Sequence, residues 1–285
     1  MAHHPYYPEV LVPCDEVALA VARGARLVEV DLDPAAYEHG HIPGAIRWDW
    51  SAQLRNQGTE EILNVAEFES LMGVSGISKD TEVLLYGDNN NWFACWAFWL
   101  MQLYGHENVK LVDGGSKKWL RDQRALSLEP TAVSRSTYKS RGLDVTNKAS
   151  IEDIFASFFN PSDSRLVDVR SSAEYIGQIS GPGDGAGATC EVAGHIPTAI
   201  NIPWNLNCNE DATFKSPDEL RSLYASFDIR PEMCVITYCA IGERASLSWF
   251  VLKHLLGYRV VMNYDRSMAQ WGRLANSAVV TGKAA

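Results

Sequence analysis

Val235-Ile-Thr-Tyr-Cys239-Ala-Ile-Gly-Glu-Arg244-Ala-Ser-Leu-Ser-Trp-Phe250 changes character halfway along. It begins as an apolar, β-branched run, the composition of a buried strand. From Ser246 onward apolar residues fall at Leu247, Phe250, Val251, Leu255 and Leu256, the spacing of a helix face. Ala240, Ile241, Gly242, Glu243, Arg244 and Ala245 must then form a tight loop between strand and helix, with Gly242 freeing the backbone. A helix N-terminus preceded by inward-turned N–H groups favours an anion. Cys239 stands at the mouth of that loop, so the sequence predicts a thiol that ionises readily. Such sites bring a cysteine pKa from about 8.5 to about 3.5–7.5. Free cysteines are often inert core residues. Here Glu243 and Arg244 put charges beside the sulfur, where a core cysteine would have apolar neighbours.

The rest of the chain is a duplication. Val28-Glu-Val-Asp31 precedes Gly40-His-Ile-Pro43, and Leu166-Val-Asp-Val-Arg170 precedes Gly194-His-Ile-Pro197, an offset of 154 residues. Glu82-Val-Leu-Leu-Tyr86 matches Cys234-Val-Ile-Thr-Tyr238 at an offset of 152. Tyr104-Gly-His with Asp113-Gly-Gly and Trp119 pairs with Leu256-Gly-Tyr, Asp265-Arg-Ser and Trp271. Ordered matches at nearly one offset mean two copies of one domain. Each copy alternates short strands with helical stretches, which predicts an α/β fold: a mainly parallel sheet with helices on both faces. Ligands of such sheets sit outside the carboxyl ends of the strands, where Cys239 falls. The first copy has Gly87-Asp88-Asn89-Asn90-Asn91 there and no nucleophile. We expect domains over 1–130 and 148–285, a polar linker over 131–147, and an inserted mobile loop over 177–193.

Bulk properties narrow the function. The 285 residues carry a net charge of −10, which speaks against nucleic-acid and anionic-membrane partners. The six cysteines form no Cys-x-x-Cys pair, so neither a zinc site nor a thioredoxin-type motif is expected, and no metal is assigned. The N-terminus lacks a basic and an apolar region, so no signal peptide is expected. The longest apolar stretch, Trp92 to Leu103, is too short to span a membrane. A reducing cytoplasm suits a free reactive cysteine.

The two Gly-His-Ile-Pro motifs, Asp168-Val-Arg170, Asp113-Gly-Gly with Trp119 and the cysteine confined to copy two resemble the tandem-domain rhodanese family, the thiosulfate and 3-mercaptopyruvate sulfurtransferases. The resemblance covers nearly the whole chain. Tyr86-Gly-Asp with Asn90-Asn-Trp92-Phe93, and Cys239-x-Ile-Gly-Glu-Arg244, are most similar to the bacterial thiosulfate branch. It implies that Cys239 takes a sulfane sulfur from a small anionic donor as a persulfide. The sulfur then passes to cyanide, a thiol or a protein acceptor, with no cofactor beyond that covalent intermediate. It also implies that Asp168 and Arg170 brace the loop, and that Arg244 supports the thiolate or the donor. Trp92 and Phe93 would line the substrate pocket, although Trp92, Trp96 and Trp99 also share one helix face as core residues do. His41 and His195 read as structural, and Cys234 as packed and inert.

Two departures bear on the donor. The branch has arginine after the cysteine, and here it is Ala240. Its second-copy turn reads Tyr-Asp-Gly-Ser-Trp, and here it is Tyr264-Asp-Arg266-Ser267-Met268. Arg266 and Ser267 are therefore candidates for the substrate pocket, Arg266 replacing the missing cation. The loop also lacks the Cys-Gly-Ser/Thr-Gly pattern of mercaptopyruvate enzymes. The alternatives are a persulfide relay dedicated to one pathway, a mercaptopyruvate-type enzyme, and a non-catalytic binding module. A cysteine phosphatase needs Cys-x5-Arg, one residue longer than the spacing here.

Overall fold

The computed structural model describes residues 9–33, 35–56, 61–181, 192–275 and 277–282. The chain forms two compact units: residues 1–144 with 209–214, and residues 145–208 with 215–285.

In the first unit the apolar runs become β1 (Leu11–Val12), β2 (Arg26–Asp31), β3 (Ala45–Asp49), β4 (Val83–Tyr86) and β5 (Val109–Val112). They form one parallel sheet in the order β1-β5-β4-β2-β3. The second unit repeats this with β6 (Ser164–Asp168), β7 (Ile200–Asn201), β8 (Cys234–Tyr238) and β9 (Val260–Asn263). They too are parallel, in the order β7-β6-β8-β9. Parallel strands need crossover helices, so both faces of each sheet are covered and the strands read as continuous apolar runs. The helix Trp92–Leu103 buries eleven of its residues, Trp92, Phe93, Trp96 and Trp99 among them.

The repeat extends to single hydrogen bonds. The Ile42 N–H donates to the Tyr86 hydroxyl at 3.0 Å, and the Ile196 N–H to the Tyr238 hydroxyl at 3.1 Å. His41 stacks on Tyr37 at 3.7 Å and His195 on Tyr175 at 3.6 Å. Each ring's Nδ1 lies within hydrogen-bond distance of the stacked tyrosine's carbonyl oxygen. The Gly-His-Ile-Pro turn thus ties a helix end to the tip of a central strand in each copy.

Two features lie beyond the sequence reading. Residues 131–144, expected as linker, are clamped to the first unit. The Ser136 N–H donates to the Gly73 carbonyl at 2.9 Å and its hydroxyl to the Ile77 carbonyl at 2.6 Å, and Tyr138 is buried against Phe68 and His106. Residues 209–214 also belong to the first unit, where the Phe214 N–H donates to the Asp113 carboxylate at 2.9 Å. Of the expected loop over 177–193, residues 182–191 lie outside the described residues, Cys190 with them.

Candidate active site

Strand β8 ends at Tyr238, and the following helix runs Glu243–Phe250. The helix starts three residues earlier than its apolar spacing predicts. Gly242 precedes it at φ 95°, a left-handed conformation that glycine adopts without a Cβ penalty. The left-handed turn points the Gly242 N–H back at the sulfur of Cys239, at 3.1 Å. The helix continues into a π-helical turn at Val251–Leu255.

The loop is held on several sides. The Cys239 N–H donates to Ser267 Oγ at 3.0 Å, and the Ser267 hydroxyl donates to the Tyr264 carbonyl at 2.6 Å. The Met268 N–H donates to the Cys239 carbonyl at 3.2 Å and the Ala269 N–H to the Ala240 carbonyl at 3.0 Å. Asn263 Nδ2 donates to the Gly242 carbonyl at 3.3 Å. Thr237 Oγ1 donates to the Ala245 carbonyl at 3.1 Å. The turn after β9 is itself anchored by the Asp265–Lys148 ion pair. Ser267 therefore touches the Cys239 loop directly. Arg266 is half-buried immediately before the helix Ser267–Trp271. Ala240 is fully buried, and Ile241 is the partly exposed member of the loop.

Asp168 and Arg170 are both fully buried and bound to each other. Arg170 Nη2 lies 2.6 Å from Asp168 Oδ2, its backbone N–H donates to Oδ1 at 3.0 Å, and Nη2 also donates to the Gly194 carbonyl at 2.7 Å. In the sheet Asp168 pairs with Tyr238, the residue before Cys239. The pair therefore joins the tip of β6, the second Gly-His-Ile-Pro turn and the root of the loop.

Arg244 is engaged by carboxylates. Its Nη1 and Nη2 reach the two oxygens of Glu174 at 2.9 and 3.1 Å, and its Nε lies 3.4 Å from Glu243 Oε1. Burial opposes the charge on Glu174, but hydrogen bonds from Arg244 and Ser171 hold its carboxyl below the usual range. The sequence left Glu174 unmarked. Its one local signal is the capping box with Ser171 at Ser171-x-x-Glu174, and nothing local points to an arginine 70 residues away.

The expectation of a readily ionised thiol is corrected. Cys239 is 0% exposed. Burial pushes its thiol up to about 12, the Glu243 charge adds to the effect, and Arg244 with the Ala245 and Ile241 N–H groups pulls back. Desolvation of the charged form outweighs the loop donors. The thiol also lies 3.3 Å from Glu243 Oε2, a hydrogen bond that the S–H must donate because a carboxylate only accepts. Of the other described cysteines, Cys14, Cys95 and Cys208 are buried and Cys234 is half-buried. Burial pushes Cys14 up to about 12 and Cys234 upward. Among the described residues, no three His, Cys, Asp or Glu side chains gather so that they could hold a metal ion, and no helix is long and apolar enough to cross a membrane.

A cysteine at a parallel-sheet strand tip, held against the first turn of a helix, is an arrangement on which covalent thiol chemistry can be built. The rhodanese-like domain model matches residues 14–122 and again 153–274, so the chain belongs to the rhodanese family and is a sulfurtransferase. A protein from Haloferax volcanii, provisionally named a thiosulfate sulfurtransferase, is 42% identical over 99% of this chain and 100% of its own length. The sulfur carrier protein TtuD of Thermus thermophilus is 41% identical over 97% of this chain and 98% of its own. Among solved structures, the anaerobic ergothioneine biosynthesis enzyme of Chlorobium limicola, in complex with trimethyl histidine, superposes with a TM-score of 0.85 at 25% identity. That match covers 99% of this chain and 72% of that one.

Proposed function

We propose that Cys239 carries a sulfane sulfur, as a persulfide, from a thiosulfate-type donor to a thiophilic acceptor. The observation that supports this best is the sulfur's position: at the tip of β8, 3.1 Å from the Gly242 N–H and beside the helix start at Glu243. A backbone donor there stabilises sulfur when it becomes anionic, as thiolate or as persulfide. In the first half-reaction the S–H bond breaks and Sγ attacks the donor's outer sulfur. The donor's S–S bond breaks, and its electron pair leaves with the remainder of the donor, sulfite in the case of thiosulfate. In the second half a thiol, cyanide or a protein acceptor attacks the outer sulfur and returns the electron pair to Sγ. The cycle uses no cofactor beyond the persulfide.

A second reading is a relay serving one biosynthetic pathway. It is favoured by the 41% identical relative named as a sulfur carrier, and by Ala240, which leaves no cation immediately after the cysteine. The experiment is a donor panel of thiosulfate, 3-mercaptopyruvate and a persulfidated protein, read by intact mass. A gain of one sulfur atom on wild type but not on Cys239→Ser supports the carrier role. The donor that loads fastest separates the two readings. If no donor adds sulfur to the folded protein, the proposal fails and the chain is a binding module.

A further inference from the structure

We infer that Glu243 is the proton acceptor for Cys239: its Oε2 takes the S–H proton as the sulfur attacks the donor. The inference rests on Cys239 being the persulfide carrier and assigns the proton that this reading leaves unassigned.

The geometry carries it. Glu243 sits four residues after Cys239, at the first position of the helix, and turns its carboxylate back over the loop. Oε2 is 3.3 Å from Sγ, and the side chain is buried. Its other oxygen lies 3.4 Å from Arg244 Nε. Arg244 is in turn held by both oxygens of Glu174, so the carboxylate that faces the sulfur is fixed in place. The Gly242 N–H approaches the sulfur separately and stays available to the thiolate once the proton has gone. Two neighbouring ion pairs stand apart from it: Asp168 with Arg170 at the end of β6, and Asp265 with Lys148 beside the Arg266 turn. Glu243 is the carboxylate at hydrogen-bond distance from the sulfur.

Energetics give the arrangement a purpose. Burial works against a standing thiolate on Cys239. A base already hydrogen-bonded to the S–H removes the need for one, because the proton moves as the S–S bond forms. The step balances. The S–H bond breaks and an O–H bond forms on Glu243. The bond from Sγ to the donor's outer sulfur forms, and the donor's S–S bond breaks with its electron pair on the leaving group. Glu243 then passes its proton to the leaving sulfite. In the second half-reaction Glu243, reprotonated by the acceptor thiol or by water, restores the S–H.

A purely electrostatic role predicts the opposite sign, and this makes the inference testable. If Glu243 only raised the thiol pKa, neutralising it would speed the reaction at neutral pH. The experiment follows two rates from pH 6 to pH 10 in wild type, Glu243→Gln, Glu243→Asp and Cys239→Ser. One is sulfur loading from thiosulfate, read by quenched-flow intact mass, and the other is alkylation by iodoacetamide. Glu243→Gln should be at least about tenfold slower than wild type at pH 7 in both assays, with the deficit closing by pH 10 as hydroxide takes over. Glu243→Asp, which keeps a withdrawn carboxylate, should fall between the two. A Gln variant as fast as or faster than wild type at pH 7, or an Asp variant no faster than Gln, overturns the assignment. Should Gln fail to fold, Asp decides: a deficit that closes with pH upholds it, and a pH-independent one overturns it. Sulfur loading that survives in Cys239→Ser would instead sink the carrier reading, with the alkylation arm still reporting on Glu243.

Discussion

The two copies build the same frame and finish it differently at one loop. In the second, the left-handed Gly242 turns its N–H toward a sulfur. In the first, the loop is closed by side chains of its own and of β2. Asn89, Asn90 and Asn91 are all left-handed, with φ of 46°, 56° and 66°. Asn91 Oδ1 accepts the Gly87 N–H at 2.9 Å, and its Nδ2 donates to the Val112 carbonyl at 2.8 Å. The Asp88 N–H goes to Asp31 Oδ1 at 2.8 Å. Asparagine tolerates this backbone better than other residues because its short amide bonds locally. The comparison teaches that two copies of one frame can carry different loops at the same strand tip while the strands beneath stay alike.

The strongest break of this asymmetry is Cys239→Ser. Sulfur loading should fall to the uncatalysed background, while Cys234→Ser, five residues earlier on β8, retains it. Equal loss in two folded mutants would remove Cys239 from its assigned role. Next in size is the frame. Arg170→Ala strands the fully buried Asp168, and breaking a buried pair by removing one partner costs about 3–5 kcal/mol. The midpoint of urea unfolding for the second unit should drop accordingly, and an unchanged midpoint would mean that the pair contributes nothing.

A smaller effect tests whether the first copy could be converted. Gly87 occupies the position equivalent to Cys239, and a Cβ there would run into the Val30 carbonyl oxygen. Gly87→Cys should therefore destabilise by about 1–3 kcal/mol, as overpacking does, and should gain no sulfur from thiosulfate at that residue. A stable variant that loads sulfur there would show that the two loops are interchangeable.

The smallest prediction concerns pH. Burial, reinforced by their neighbouring carboxylates, pushes Asp31 and Asp88 up to about 7. An unfolded aspartate titrates near about 3.9. The native state holds the extra proton between these values, so this contribution is fully present below about pH 4 and is lost as pH rises to about 7. Asp88→Asn cannot ionise. It should melt higher than wild type at pH 8, by about 2–4 °C per kcal/mol recovered, and should lose that advantage by pH 4. A difference that does not change with pH would mean that the carboxylates are not titrating in this range.

Much of this was legible in the chain. The duplication, the parallel strands and the position of Cys239 at a strand end follow from apolar spacing and a repeated motif, which are local signals. The assignment of His41 and His195 as structural rests on the same kind of signal, and both rings sit stacked in equivalent turns. What escaped depends on depth and on distant partners. The loop N–H groups were visible, but not the complete burial of the sulfur, so the direction of the thiol's ionisation came out reversed. Arg244 was read as a support for the anion, and the glutamate 70 residues away that holds its guanidinium left no local signal. The early helix start at Glu243 was missed because apolar periodicity begins only where side chains meet the core. Gly242 acts one turn before that.

The depth of the sulfur has a consequence for how the enzyme ages. Peroxide and adventitious electrophiles consume thiolates far faster than thiols. Burial covers the sulfur of Cys239 and opposes its charge, which makes it a poor target for either. Stored without donor, the protein should keep its Cys239 thiol through exposure to air that would convert an exposed, low-pKa cysteine to sulfenic and then sulfinic acid.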